Sequence, residues 1–237
     1  MLIRKILLPW LITASLLAGV SVLFSAPGRD VGQEVSRPFP VTVVIDPGHG
    51  GEDGGAVGAD GQLEKEVNLD VALRLYDLLS ANGITAVLTR SEDVLLYDRN
   101  ADHAGRKKAL DLAARRKIAE ETENALFVSI HMNSYPDPRY SGLQVWYSPN
   151  NPASAPVAQT IQSLARELLQ PDNRREVKAA GSNIYLLHRL NVPAVLVECG
   201  FLSNPEEARR LSTEEYRQSV AFLLFLGINE AIGSVTK

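Results

Sequence analysis

Four side chains stand where a hydrolytic centre would need them: His49, Glu64, His131 and Glu198. His49 lies in Asp46-Pro47-Gly48-His49-Gly50-Gly51, where proline and clustered glycines allow a tight backbone path and leave no bulky neighbour to hide the imidazole. Fifteen residues later Glu64 opens a helical stretch, while His131 and Glu198 each follow a short apolar run. Two imidazoles and one carboxylate make an open zinc site, in which three protein ligands leave one position for a water. Zinc lowers the pKa of that water toward about 7 and polarises a carbonyl oxygen. A proton shuttle is then required, and Glu198 is the candidate. The apolar residues before it desolvate its carboxyl, which favours a raised pKa suited to moving protons. His49, Glu64 and His131 are therefore the expected metal ligands, and Glu198 the expected catalytic residue.

Each residue also has a plainer reading. The glycine-rich run could be a turn with a solvated histidine, and His131 a hydrogen-bonded core histidine. Glu198 could pair with an arginine such as Arg115, and Glu64 could cap a wet helix end. A phosphate-binding loop fits poorly: GxxxxGK[ST] is absent, and Asp53 stands where GxGxxG needs its third glycine. His103 in a polar loop and His188 beside Arg189 carry no expected role. Cys199 reads as a small buried hydrophobe, with no basic neighbour to activate its thiol.

The elements that must position these groups follow from periodicity. The β-branched run 41–45 is a strand, and 64–82 is a helix stopped by Asn82-Gly83. Strands follow at 85–89 and 125–130, with a polar irregular stretch at 92–105 and a helix at 107–123 between them. The alternating run 143–147 suits a strand nearer a sheet edge. Val157, Ile161, Leu164 and Leu168 mark a third helix. Short strands are expected at 183–187 and 194–197, and a largely buried helix at 216–232. Alternating strands and helices, with strands apolar throughout, predict one layered α/β domain on a mainly parallel sheet. In such sheets ligands bind beyond the carboxyl ends of the strands, where His49, His131 and Glu198 converge. Helical phase selects the glutamate. At about 100° per residue, Glu64 shares its face with Val67, Val71, Leu75, Leu78 and Leu79, whereas Glu66 lies with Asp70, Arg74 and Asp77.

The chain has 237 residues, 45% hydrophobic and 22% charged, enough for a full core. Its net charge of −4 gives no reason to expect a nucleic-acid partner. One cysteine excludes an intramolecular disulfide and a cysteine-based zinc site. Arg4 and Lys5 precede an uncharged apolar stretch, so residues 1–26 read as a signal peptide or, more in keeping with their length and weak cleavage site, a membrane anchor. Residues 27–40 read as a polar linker and 41–233 as an exported catalytic domain at the outer membrane face or in the wall.

Four motifs in order carry a family resemblance: Val44-Ile-Asp-Pro-Gly-His-Gly-Gly-Glu-Asp-Gly-Gly-Ala56, Glu64-Lys65, Ser129-Ile-His-Met-Asn133 and Val197-Glu-Cys-Gly-Phe-Leu-Ser-Asn204. They resemble the zinc-dependent N-acetylmuramoyl-L-alanine amidases (the amidase-3 family). That resemblance implies a six-stranded sheet flanked by helices, with His49, Glu64 and His131 as zinc ligands and Glu198 as the catalytic glutamate. It also implies peptidoglycan as substrate, cut between the lactyl group of N-acetylmuramic acid and the L-alanine of the stem peptide. The single N-terminal segment, the single domain and the Ser141-Gly142-Leu-Gln144 segment resemble the spore-cortex, germination-type branch, which implies a role in forming muramic-δ-lactam. Met132 and Cys199 depart from the commoner family residues. No long inserted helix is expected between Thr89 and Lys107. A zinc peptidase acting within the stem peptide, and a non-catalytic wall-binding or activator module, are the competing functions. The need for an activator protein is not legible.

Overall fold

The computed structural model describes residues 41–98, 100 and 103–235; the expected hydrophobic segment and linker lie outside them. The opening apolar run forms β1 (Thr42–Pro47), followed by α1 (Glu64–Ala81), β2 (Ala86–Leu88) and α2 (Lys107–Glu121). Next come β3 (Ala125–Asn133), β4 (Gln144–Tyr147), α3 (Ser154–Leu168), β5 (Lys178–Ala179) and α4 (Tyr185–Arg189). The chain closes with β6 (Ala194–Phe201), α5 (Pro205–Leu211) and α6 (Glu214–Val235). One six-stranded sheet results, in the order β2-β1-β3-β6-β4-β5. Every pairing is parallel except β4 with β6.

Strands buried on both faces explain the apolar runs. Along β1, Val43 and Ile45 face one core and Val44 the other; in β3, Leu126, Val128 and Ile130 oppose Phe127 in the same way. The larger core lies under α1, α3 and α6, and the smaller one takes Leu186, Leu187 and Leu190 around α4. In α1 the predicted stripe holds. Val67, Val71, Leu75 and Leu79 are fully buried and Leu78 partly so, while Glu66 is exposed. The helix stops where Gly83 takes φ +67°, and the amide of Ile84 returns to the Leu79 carbonyl at 2.9 Å. Among the described residues no helix is long and apolar enough to cross a membrane; α6 buries Leu223, Leu224 and Ile228 in the core instead.

Two expectations need correction. Residues 183–187 are not a strand: α4 covers Tyr185–Arg189, and burial at Leu186, Leu187 and Leu190 follows a helical period, not an alternating one. The sixth strand is β5, whose two exposed residues carry no apolar signal. β4 does lie near a sheet edge as expected, with only β5 outside it. Finally, β3 and β6 run beyond their apolar stretches, so that His131 and Glu198 are register partners inside the sheet, just before an irregularity between His131 and Asn133.

Candidate metal centre

The turn after β1 carries the first imidazole. Gly48 donates to the Ile130 carbonyl at 3.0 Å, prolonging the β1–β3 ladder, and His49 then takes φ +61°. That left-handed conformation costs a non-glycine residue about 1–3 kcal/mol and persists only if its surroundings enforce it. Here they do. Arg115 donates to the carbonyls of Pro47 at 2.7 Å and His49 at 2.6 Å. Arg90 donates to those of Pro47 at 3.0 Å and Gly48 at 2.9 Å. Three successive carbonyls are thus held by two buried guanidinium forks.

Arg115 is itself pinned by Asp46 and Asp111, each at 2.7 Å, so the alternative pairing of Glu198 with Arg115 does not form. Asp46 also accepts from Thr89 and Ser129, each at 2.7 Å. Burial alone would push the Asp46 carboxyl up, but Arg115 and the two hydroxyls outweigh it and hold the group below the usual carboxylate value. Two glycines leave the room the site needs. A Cβ on Gly48 would lie 2.2 Å from His131 Cε1, and one on Gly55 would lie 2.5 Å from Glu64 Oε2.

The three expected ligands meet at one point. Glu64 Oε1 is 3.2 Å from His49 Nε2 and 2.9 Å from His131 Nδ1, and one donor atom from each residue lies within 4.8 Å of the others. Glu64 is almost fully buried and rigidly held. Oε1 also accepts from the Met132 amide at 3.1 Å and Asn68 Nδ2 at 3.3 Å, and Oε2 from the Ala56 amide at 2.8 Å. Asp53 Oδ1 lies 3.0 Å from His49 Nδ1, though off the axis of a well-formed hydrogen bond. A carboxylate on that side favours the Nδ1–H tautomer and turns the Nε2 lone pair toward Glu64.

Burial would raise the Glu64 pKa, yet His131 and His49 outweigh it and keep the carboxyl well below its usual value. For His49 the balance is reversed: burial works against protonation, but Glu64 and Asp53 raise its pKa. Converging lone pairs of two imidazoles and a carboxylate need a proton or a cation between them. Nitrogen and oxygen donors at this number suit zinc.

Glu198 stands beside this cluster and outside it. Its Oε2 is buried without a hydrogen-bond partner among the described residues. Burial pushes its pKa up to about 7; His131 and His49 pull against that rise, and Glu64 adds to it. The structure therefore brings all four expected residues to one sheet edge. His103 packs against Tyr97 instead, His188 is exposed, and Cys199 is buried with its thiol pushed up by desolvation. Sequence reasoning gave no site role to Asp53, Asn68 and Arg90, and named Arg115 only as an alternative partner for Glu198. Asn68 was findable, since it lies four residues beyond Glu64 on the same buried stripe. Arg90 carries no local signal, because its partners at Pro47 and Gly48 are over forty residues away.

Residues 43–230 match the family model of the N-acetylmuramoyl-L-alanine amidases, Amidase_3. The chain belongs to that family. The amidase is 39% identical over 186 residues to the germination-specific N-acetylmuramoyl-L-alanine amidase of Bacillus subtilis, covering 78% of this chain and 77% of the relative. It is 32% identical to N-acetylmuramoyl-L-alanine amidase AmiA of Escherichia coli, over 78% of this chain and 74% of that one. Among solved structures it resembles the CwlD amidase of Clostridioides difficile, determined in complex with the GerS lipoprotein. The TM-score is 0.78 at 35% identity, with 82% of this chain and 99% of that chain covered. The amidase is thus a peptidoglycan hydrolase, and the bond named by its family is the muramoyl–L-alanine amide, not a peptide bond within the stem.

Proposed function

We propose that the amidase is zinc-dependent, with His49, Glu64 and His131 as the metal ligands and Glu198 as the proton carrier. One observation supports this above all. Facing donor atoms of two imidazoles and a carboxylate lie within 4.8 Å, beside a buried glutamate oxygen with no partner. A zinc ion held there supplies Lewis acidity and an acidified water.

The chain's own residues do the remainder. Glu198 accepts the water's proton at Oε2 as hydroxide adds to the lactyl carbonyl carbon. It returns that proton to the nitrogen of L-alanine as the C–N bond breaks. A resting pKa near 7 suits both transfers. Met132, Asn68 and Ala56 fix Glu64 so that neither oxygen swings into the path of Glu198. Arg90 and Arg115 hold the strained turn, and with it His49.

The substrate in the cell is proposed to be spore-cortex peptidoglycan, where removal of stem peptides precedes muramic-δ-lactam formation. The likeness to a germination-specific relative supports this. The hydrophobic residues before position 27 are proposed to keep the enzyme at the outer membrane face, and a lipoprotein like that bound to the Clostridioides difficile relative is a candidate partner. Digestion of purified peptidoglycan with the zinc-loaded full-length chain, read by mass spectrometry, tests the bond. Free L-alanine amino termini are expected; new amino termini further along the stem would sink the reading.

A further inference from the structure

A groove of about 1010 Å³ is lined by Tyr140, Ser141, Gln170, Arg174, Arg175 and Glu207 among others. Four arginines border it, but two are spent: Arg139 pairs with Asp137, and Arg210 with Glu206. Glu207 is buried, and its two oxygens accept from the amides of Gly142 and Phe201 at 2.9 and 2.8 Å. Asp172 and Arg174 are exposed, with no ion pair among the described residues.

Arg175 is different. It is half-buried, yet among the described residues no carboxylate lies within ion-pair distance of it. Glu207 supports its charge from beyond that distance, but both Glu207 oxygens are taken by backbone amides. The side chain is nonetheless built in. Its Nε donates to the Ser141 carbonyl at 2.6 Å and its Nη1 to Gln144 Oε1 at 2.9 Å. The guanidinium plane lies over Phe201 at 4.5 Å and Tyr140 at 5.9 Å. Stacking and two fixed bonds orient the fork and leave Nη2 without an acceptor among the described residues.

The position of this fork relative to the chemistry follows from register. Gln144 is the antiparallel partner of Glu198, so one side chain separates Arg175 from the catalytic glutamate. Directly opposed residues have Cβ atoms about 5 Å apart, and an extended peptide advances about 3.3–3.6 Å per residue. A substrate peptide leaving the scissile amide therefore reaches the guanidinium within about two or three residues.

We propose that Arg175 binds a carboxylate of the stem peptide, two or three residues beyond the amide that is cut, and so selects stems carrying a free acid there. This rests on the muramoyl-amidase reading above. The forked donor fits a carboxylate in bidentate fashion, and a stem peptide offers one at any acidic residue and at its C-terminus.

The test uses the full-length zinc-loaded enzyme and two muropeptides, alike except that the stem carboxylates of one are converted to carboxamides. Wild type is expected to show a KM about 10-fold higher for the carboxamide, with kcat little changed. Arg175→Gln should raise KM for the acid and erase the difference. Arg175→Lys should restore part of it, with zinc content unchanged in both variants. Equal KM values in wild type would overturn the proposal even if neither variant folds. An equal loss on both substrates in Arg175→Gln would reduce Arg175 to a structural part and overturn it too. Cleavage of neither substrate by wild type would instead strike the muramoyl-amidase reading, and this inference with it.

Discussion

Glu64 and Glu198 bring the same carboxyl group to the same corner of the fold, and their surroundings shift its pKa in opposite directions. Glu64 meets two imidazoles and three donors and stays ionised. Glu198 is desolvated, keeps one oxygen free of partners among the described residues, and has its pKa pushed up to about 7. Glu198→Gln, which keeps shape and removes the titratable oxygen, should leave zinc content and melting temperature near wild type while lowering turnover by about 10²-fold or more. Loss of metal in that variant would make Glu198 a ligand. Asp46, which is not among the proposed ligands, supplies a pH prediction. Its pKa is lowered by folding, so its contribution to stability is complete above the unfolded value and is lost as pH falls through the folded one. Breaking the buried Asp46–Arg115 pair as Asp46→Asn should cost about 3–5 kcal/mol at neutral pH. Calorimetric melting curves of the two proteins should draw together in acid; a constant gap would show that Asp46 does not titrate as described.

At the scale of elements, α1 and the strand ends decide which groups meet. Because Glu64 lies on the buried stripe and Glu66 on the wet face, Glu64→Ala should abolish zinc binding and Glu66→Ala should change it little. Metal analysis giving the reverse would mean a rotated helix. Gly48→Ala is predicted to be as damaging as losing a ligand, because its methyl would occupy the His131 ring; normal zinc content there would show that the turn can yield. How far all this was legible depends on the reach of each interaction. The convergence of the four candidate residues could be read because strand, turn and helix signals are local and place residues along the chain. The arginine grip on residues 47–49 could not, since Arg115 lies over sixty residues from the turn it holds. Residues 183–187 misled because five apolar-rich residues suit either period, and only packing of Leu186, Leu187 and Leu190 around Phe127 chooses the helix. Asn204 had a readable cap signal: it accepts from Glu206 and Glu207 ahead of a proline-led α5, in a segment assigned no helix.

For the whole molecule, metal and location are the quantities to measure. The purified full-length chain should carry about one zinc per molecule, lose activity to a chelator and regain it with zinc; full activity in metal-free protein would end the zinc reading. It should also fractionate with membranes, whereas a freely soluble mature form beginning near Pro27 would favour a cleaved signal. The sheet has a consequence of its own. Its two borders are β2, three residues long, and β5, two residues long with Lys178 in it. Long bare strand borders are templates on which a second copy can lay its own backbone. Enzymes confined to a thin wall layer meet their own kind at high local density. Borders this brief, one carrying a charge, offer a neighbouring copy little length to zip against, so crowding at the substrate need not end in stacked sheets.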